Sequence, residues 1–410
     1  YIFHGSIGPA AAVAKWENER LKVWTHSQGV FQLRDALAGV FETAEENITV
    51  IHKAGSGCYG HNGADDAALD AAILAKEVEG IPVKVVWSRY DEFHAAPMGA
   101  AMSTKSRAHL DQDGYITAFD VEVTSVPHSS RPGTGGTPNL RSAVLIKNSK
   151  LPAKSPDVPA IRGGGAERNA VPSYDFGPVR VKKRLVHDLP FRASALRSLG
   201  AYNNVIVNEG LIDEIAHRNG EDPLAFRIKH CVDDRSKELL LRLDSETKRY
   251  KENLKESQGW GVGYARYKGI SGLCAVFVNV TVDEGVVVDN VVSVSDVGEA
   301  ISPDGVKNQI EGGIVQSISW TLKEAVKTDG LSTTVDSWFD YPIIKFSEIP
   351  SLNTILIERP SEKPLGAAEI SQGPAGAAVS NAVRHALGVR ITELPITREA
   401  IINSLLSNEI

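Results

Sequence analysis

Cysteine is scarce in this sequence: Cys58, Cys231 and Cys274 are spread through 410 residues, with no CxxC or Cys/His spacing. That pattern argues against a disulfide framework, a structural zinc site or a Cys-ligated iron–sulfur cluster built from this chain alone. If the chemistry is redox, the electron acceptor therefore sits elsewhere. Methionine is scarcer still, with Met98 and Met102 alone, and the sequence opens on Tyr1. This predicts a processed piece or a segment of a longer polypeptide. No apolar run approaches the ~18 residues of a membrane span, so no bilayer-crossing helix is expected. A basic excess is also lacking. The 44 Lys and Arg against 51 Asp and Glu leave a net charge of −7, which argues against a nucleic-acid partner, since such a partner needs a basic face to displace counterions. Internal repeats and low-complexity tracts are absent too.

What is present is an ordinary globular composition, 42% hydrophobic and 23% charged, in a chain long enough for two or three domains. Short strands alternate with helical patterns over residues 21–86. Strands are expected near 21–24 and 48–52, helices over 31–41 and 66–78, and a strand of the buried type over 81–87. Residues 104–126 have the period of two of an antiparallel pair, with Asp111-Gln112-Asp113-Gly114 as its turn. Residues 126–188 are rich in Pro, Gly, Ser and Arg and lack periodicity, the mark of a long functional or interface-covering segment. A helical pattern follows over 200–227, then a charged stretch over 233–256 that reads as a solvated helix or a domain junction. Strands are expected over 274–294 and helices over 306–326 and 375–387, the last entered by Pro374 and closed by Gly388. The class is mixed α and β.

Gly55-Ser56-Gly57-Cys58-Tyr59-Gly60 matches GxGxxG after a strand and before a helix, which imitates a dinucleotide fingerprint. Three readings stay open: a nicotinamide site, another anionic cofactor, or a structural turn. His61-Asn62-Gly63-Ala64 intervene before the helix and weaken the first. What holds in every case is that small residues permit close backbone approach and a helix N-terminus favours negative charge.

Four further segments carry polar groups in unusual settings. Trp24-Thr25-His26-Ser27-Gln28-Gly29 puts an amide at a strand end, although a Ser27 helix cap beside a solvated Gln28 is the bland alternative. Phe191-Arg192-Ala193-Ser194-Ala195-Leu196-Arg197 sets two arginines among small and apolar residues, suited to a planar anion or to a surface helix. Asn308-Gln309-Ile310-Glu311-Gly312-Gly313 places two glycines inside a helix, at roughly 1 kcal/mol each, which close packing against a backbone or a ligand would justify. Gly366-Ala367-Ala368-Glu369-Ile370 surrounds a carboxylate with small and apolar residues, a setting for a general base or else a solvated loop.

Taken in order, these five segments resemble the large, molybdenum-binding subunit of the xanthine dehydrogenase and aldehyde oxidase family, nearest the branch of bacterial nicotinate and isoquinoline dehydrogenases. The resemblance runs from about residue 1 to 396. It implies an α+β, two-part molybdopterin-binding fold, with a first half over 1–240 that contains the irregular insert at about 126–188 and a second half over 255–410. The cofactor cleft should lie between them. Residue by residue, it implies that Gln28 hydrogen-bonds an oxo group of the metal, that Gly57, Cys58, Tyr59 and Gly60 form the glycine-rich loop beside it, and that Arg197 belongs to the substrate pocket. Gln309 would contact the pterin with Gly312 packed close by, and Glu369 would be the catalytic base. The implied cofactor is molybdenum–molybdopterin, in the cytosine dinucleotide form, with 2Fe-2S clusters on a partner chain. The implied activity is hydroxylation of an electron-poor carbon of an N-heteroaromatic or aldehyde substrate, with water as the oxygen source. The implied partners are an iron–sulfur subunit, a cytochrome c electron acceptor, and a chain or upstream segment that supplies the family's Gly-Gln-Gly, a tripeptide missing here. Two alternatives remain at this point: an NAD-dependent dehydrogenase using the 55–60 loop, and a non-catalytic partner module of the same fold.

Overall fold

A computed structural model describes residues 1–146, 154–188 and 190–408. The part of the expected irregular insert at 147–153 lies outside the described residues. The chain begins with a four-stranded sheet made by β1 (Ala11–Glu17), β2 (Arg20–Thr25), β3 (Ile48–His52) and β4 (Val83–Val86), in the order β3-β2-β1-β4. β1 and β2 form a hairpin whose turn residues, Asn18 and Glu19, are both left-handed, as the strand twist requires of a two-residue connection. β3 runs parallel to β2, and β4 pairs antiparallel with β1. Period-two burial sends Ala12, Ala14, Trp16, Leu21 and Val23 inward against α1 (Val30–Phe41) and α2 (Ala64–Lys76). β4 is an edge strand with alternating exposure, Val86 being 52% exposed, rather than the buried strand expected there. α3 (Arg89–Ala95) follows, opened by a capping box at Ser88.

β5 (Met102–Leu110) and β6 (Ile116–Ser125) pair antiparallel across the expected turn, where Asp111 accepts the Tyr115 N–H at 2.8 Å. β7 (Val179–Leu185) joins β6 in parallel, so the insert is irregular over most of its length but ends as a strand. The 200–227 helix is two helices: α4 (Ala201–Arg218) stops before Gly220, which is left-handed, and α5 (Pro223–Lys229) restarts under an Asp222 cap. α6 (Asp234–Lys251) fills the charged stretch, yet buries Leu239, Leu240 and Leu243.

The last sheet runs β11-β10-β9-β8, from β8 (Gln258–Arg266), β9 (Leu273–Val282), β10 (Val286–Asp296) and β11 (Ser351–Leu356). Against it lie α7 (Pro303–Leu322) and α8 (Gln372–Leu387), and α9 (Arg398–Asn408) ends the described chain. On β8, Gly259, Gly261 and Gly263 occur at the strand period of two. A Cβ at any of them would collide with the α8 backbone at Ala382, Ala378 or Pro374. The glycines therefore exist for close approach, and that approach fixes where α8 begins and where Glu369, just before it, is held. One hydrophobic core draws on both sides of the 240–255 region, joining Phe119, Val121 and Leu243 to Val262, Tyr264, Phe277 and Val292. The fold is α+β. Among the described residues no helix is long and apolar enough to cross a membrane.

Candidate functional site

β2 ends at Thr25 and α1 begins at Val30, so residues 26–29 turn at the end of this inner strand. Ser27 does not cap the helix; its hydroxyl accepts the Gly29 N–H at 3.1 Å, and no side chain caps α1. Gln28 is left to face outward. Its Nε2 donates to Cys58 Sγ at 2.9 Å, and its Oε1 accepts from Arg131 Nη2 at 2.9 Å.

The glycine loop leaves the edge strand β3 and runs along residues 193–197. The Arg197 N–H donates to the Tyr59 carbonyl at 2.7 Å, and the His61 N–H donates to the Ala195 carbonyl at 2.8 Å. Gly60 and Leu196 form an isolated bridge. The sheet is mixed, and the loop's closing N–H is already engaged by protein, so this is not the phosphate-binding turn of a dinucleotide fold, where the loop caps a helix at a parallel-sheet switch point. Behind it, His61 Nδ1 lies 2.8 Å from Ser194 Oγ and Nε2 lies 3.1 Å from Asp65. All three are buried, and Ser194 Oγ also accepts the Ser130 N–H. The group braces the loop from within and gives no exposed nucleophile.

Arg197 spans the gap to the C-terminal elements. Nε donates to the Ala368 carbonyl at 2.6 Å, Nη2 to the Gln309 carbonyl at 2.8 Å and to Gln309 Oε1 at 3.1 Å, and Nη1 to Gln316 at 3.3 Å. It is not the solvated arginine of a surface helix; burial lowers its proton affinity while Glu369 opposes that shift. Arg192 is likewise engaged, by a bidentate pair with buried Asp66. The next two residues after Arg197, Ser198 (φ 70°) and Leu199 (φ 52°), are both left-handed, a conformation that costs L-residues roughly 1–2 kcal/mol each. The turn aims the Ser198 N–H at Glu369 Oε1, 2.9 Å away. Ser198 is fully buried, and its hydroxyl has no hydrogen-bond partner among the described residues. Ser198→Gly should therefore stabilise the protein by about 0.5–1 kcal/mol, read as a rise in the urea midpoint. An unchanged or lower midpoint would mean that the hydroxyl has a partner.

Glu369 is half-buried, with both oxygens engaged: Oε1 by Ser198 and Oε2 by Tyr267, whose hydroxyl donates at 2.8 Å. Gln28, Gly57, Cys58, Tyr59, Gly60, Arg197, Gln309, Gly312 and Glu369 all line one cavity of about 820 Å³. The cavity walls also include Arg131, Val158, Arg168 and Asn308, which sequence reasoning did not single out. The first three lie in the irregular insert, where the available signal was its length and its arginines among glycine and proline rather than any motif. The two helical glycines divide their tasks. A Cβ on Gly313 would strike Ser371 and Gln372, whereas one on Gly312 would meet Arg197 Nη1 at 4.0 Å, so Gly312 leaves room on the cavity side.

These residues suit an oxygen-rich, anionic organic group. The lining holds three arginines, Arg131, Arg168 and Arg197, against one carboxylate, Glu369, together with the amides of Gln28, Asn308 and Gln309, a balance of charge and donors that favours phosphate and carbonyl oxygens. Among the described residues no group of three or more His, Cys, Asp and Glu side chains is placed to hold a metal ion directly.

A smaller cavity of about 180 Å³ shares Leu196, Arg197 and Leu199 with the first and is also lined by Glu324. Burial pushes the Glu324 carboxyl up to about 7, opposed by hydrogen bonds from Ser319 and Tyr341. The folded state then holds a proton that the unfolded state releases near pH 4.5, so this group's contribution to stability falls as pH rises from about 4.5 to 7. Glu324→Gln should be more stable than the parent at pH 8 by on the order of 1–2 kcal/mol, with the gap closing at pH 4.5. Thermal unfolding at the two pH values measures it, and a gap independent of pH would refute it.

Two family models match the chain, both described as molybdopterin cofactor-binding domain, over residues 2–134 and 237–350. One component of the nicotinate dehydrogenase of Pseudomonas putida is 34% identical, over 98% of this chain and 34% of its own length. One component of the isoquinoline 1-oxidoreductase of Brevundimonas diminuta is 24% identical, over 96% of this chain and 48% of its own. The chain thus spans between a third and a half of these relatives. Among solved structures, quinoline 2-oxidoreductase from Pseudomonas putida 86 superposes with a TM-score of 0.80 at 16% identity, covering 99% of this chain and 75% of that one. Aldehyde oxidoreductase from Desulfovibrio gigas also gives 0.80, at 15% identity over 99% and 60%.

Proposed function

The chain belongs to the molybdenum-binding subunits of the xanthine dehydrogenase and aldehyde oxidase family, and from that premise we propose that it holds the cofactor and supplies the base of a molybdenum hydroxylase. The observation that carries this reading is that nine residues from five separated segments line one cavity. The substrate class is an N-heteroaromatic acid or base, of which nicotinate and isoquinoline are the models given by the relatives' names, with aldehydes as the second class. The first cofactor-binding half covers 1–240 and the second 255–410. The cofactor is molybdenum–molybdopterin in its cytosine dinucleotide form. Electrons leave to 2Fe-2S clusters on a partner chain and onward to a cytochrome c, and an upstream segment or another chain completes the cradle with its Gly-Gln-Gly.

When bound, the cofactor supplies the two-electron oxidant and the site at which a water-derived oxygen is delivered. The chain's own residues bind, orient and move the proton. Glu369 takes the proton, since each of its oxygens is fixed by one donor and keeps a lone pair. Arg197 pins the Ala368 and Gln309 carbonyls, so that base and amide keep a constant separation. Gln28 presents its amide from the 26–29 turn, and Gly312, whose missing Cβ would meet nothing closer than 4.0 Å, leaves room for a flat group beside its backbone.

The test is metal analysis and turnover of the complete complex with an artificial electron acceptor. About one molybdenum per complex and oxidation of nicotinate, isoquinoline or a simple aldehyde are expected. A complete complex free of molybdenum and inert to all three would leave the non-catalytic module as the better reading.

A further inference from the structure

Cofactor binding leaves unexplained why a buried tyrosine and a buried arginine stand in line behind Glu369. Tyr267 follows β8 directly and is 6% exposed; Arg168, from the irregular insert, is 4% exposed. Arg168 Nη1 lies 2.7 Å from the Tyr267 hydroxyl, and that hydroxyl lies 2.8 Å from Glu369 Oε2. The proton order along this chain is forced. A guanidinium can only donate, and a phenol has a single proton, so Arg168 donates to Tyr267 and Tyr267 donates to Glu369. Burial raises the Tyr267 pKa far above its ordinary value, so the phenol keeps that proton.

Arg168 cannot swing away to pair with Glu369 directly. Its Nε donates to the Gly163 carbonyl at 3.2 Å and Nη2 to the Gly164 carbonyl at 2.6 Å, while its guanidinium lies 5.5 Å from the Tyr267 ring centre. The cation is therefore anchored at one remove, and its polarising effect reaches the carboxylate through the phenol. On the other side Glu369 meets the Ser198 N–H, with Arg197 and Lys268 as the further charged groups acting on it.

We infer that Tyr267, anchored by Arg168, is a positioning residue that fixes the plane of the Glu369 carboxylate and polarises it for its reaction. The inference rests on the reading of Glu369 as the base, and it adds a role to a residue no cofactor need touch. In the complete, molybdenum-loaded complex, Tyr267→Phe should lower kcat about 10-fold while KM changes less than about 2-fold, the split expected when transition-state orientation is lost and ground-state binding is not. The metal-free complex supplies an independent readout. The infrared carboxylate band that disappears in Glu369→Gln should shift in Tyr267→Phe, because one of its two hydrogen bonds is gone. If Tyr267→Phe does not fold, 3-fluorotyrosine at position 267 keeps the size and donates more strongly, and the band should move the opposite way. An unmoved band with kcat unchanged overturns the positioning role, even where Glu369→Gln is inactive. Full turnover by Glu369→Gln overturns the base assignment instead and takes this role with it.

Discussion

Glu369→Gln should slow substrate-driven reduction of the loaded complex by at least ~100-fold, the low end of general-base contributions, with molybdenum content unchanged. Glutamine preserves length and shape but has no basic oxygen, so the comparison isolates proton transfer. The structure also fixes a secondary cost. Ser198 and Tyr267 both donate to the carboxylate, and an amide can accept from one of them while its NH2 confronts the other. That mismatch costs on the order of 1–2 kcal/mol of stability, too little to unfold the protein, so a large rate loss cannot be blamed on misfolding. Stopped-flow reduction beside metal analysis reads both quantities. A fully loaded variant that reduces at nearly the parent rate would refute the assignment. Glu311 and Glu299 would then be the next carboxylates to test, although neither lines the cavity.

Much of the cavity is legible in the sequence because each of its motifs carries a local physical oddity. Glycines inside the Pro303–Leu322 helix, an amide at a strand end and a carboxylate among small residues all break ordinary patterning, and places where patterning breaks are where function tends to be found. The structure explains two of these oddities differently from each other: Gly313 is small to admit Ser371 and Gln372, and Gly312 is small to keep the cavity open. Arg168, Arg131 and Tyr267 are silent in the sequence for the opposite reason. None belongs to a motif, the insert's composition does not say which of its arginines matter, and their roles arise only when the insert folds back, bringing Arg168 and Tyr267 together across 99 residues of sequence. The exposure of the Val83–Val86 strand is hidden because a short apolar run does not say which face is covered. The break at Gly220 is masked by continuous amphipathic spacing on both sides of it.

The second large effect is at Gly60. Its φ of 126° lies in territory that is nearly glycine's alone, and a Cβ there would overlap the Ala195 carbonyl oxygen. That carbonyl cannot easily retreat, because it accepts the His61 N–H at 2.8 Å and lies 2.9 Å from buried His4 Nε2. Gly60→Ala must therefore either break the lacing between the glycine loop and residues 193–197 or carry the strain. The expected loss is about 3 kcal/mol or more, well beyond an ordinary substitution. Gly80→Ala separates the two components: φ is also positive, at 84°, but nothing lies within 4 Å of the added carbon. It should cost only about 1 kcal/mol of backbone strain. The difference between the two variants in chemical denaturation measures the steric clash itself. Were they to match within about 0.5 kcal/mol, the 193–197 segment would have to be soft enough to back away. The cavity wall that carries Arg197 would then be adjustable rather than fixed.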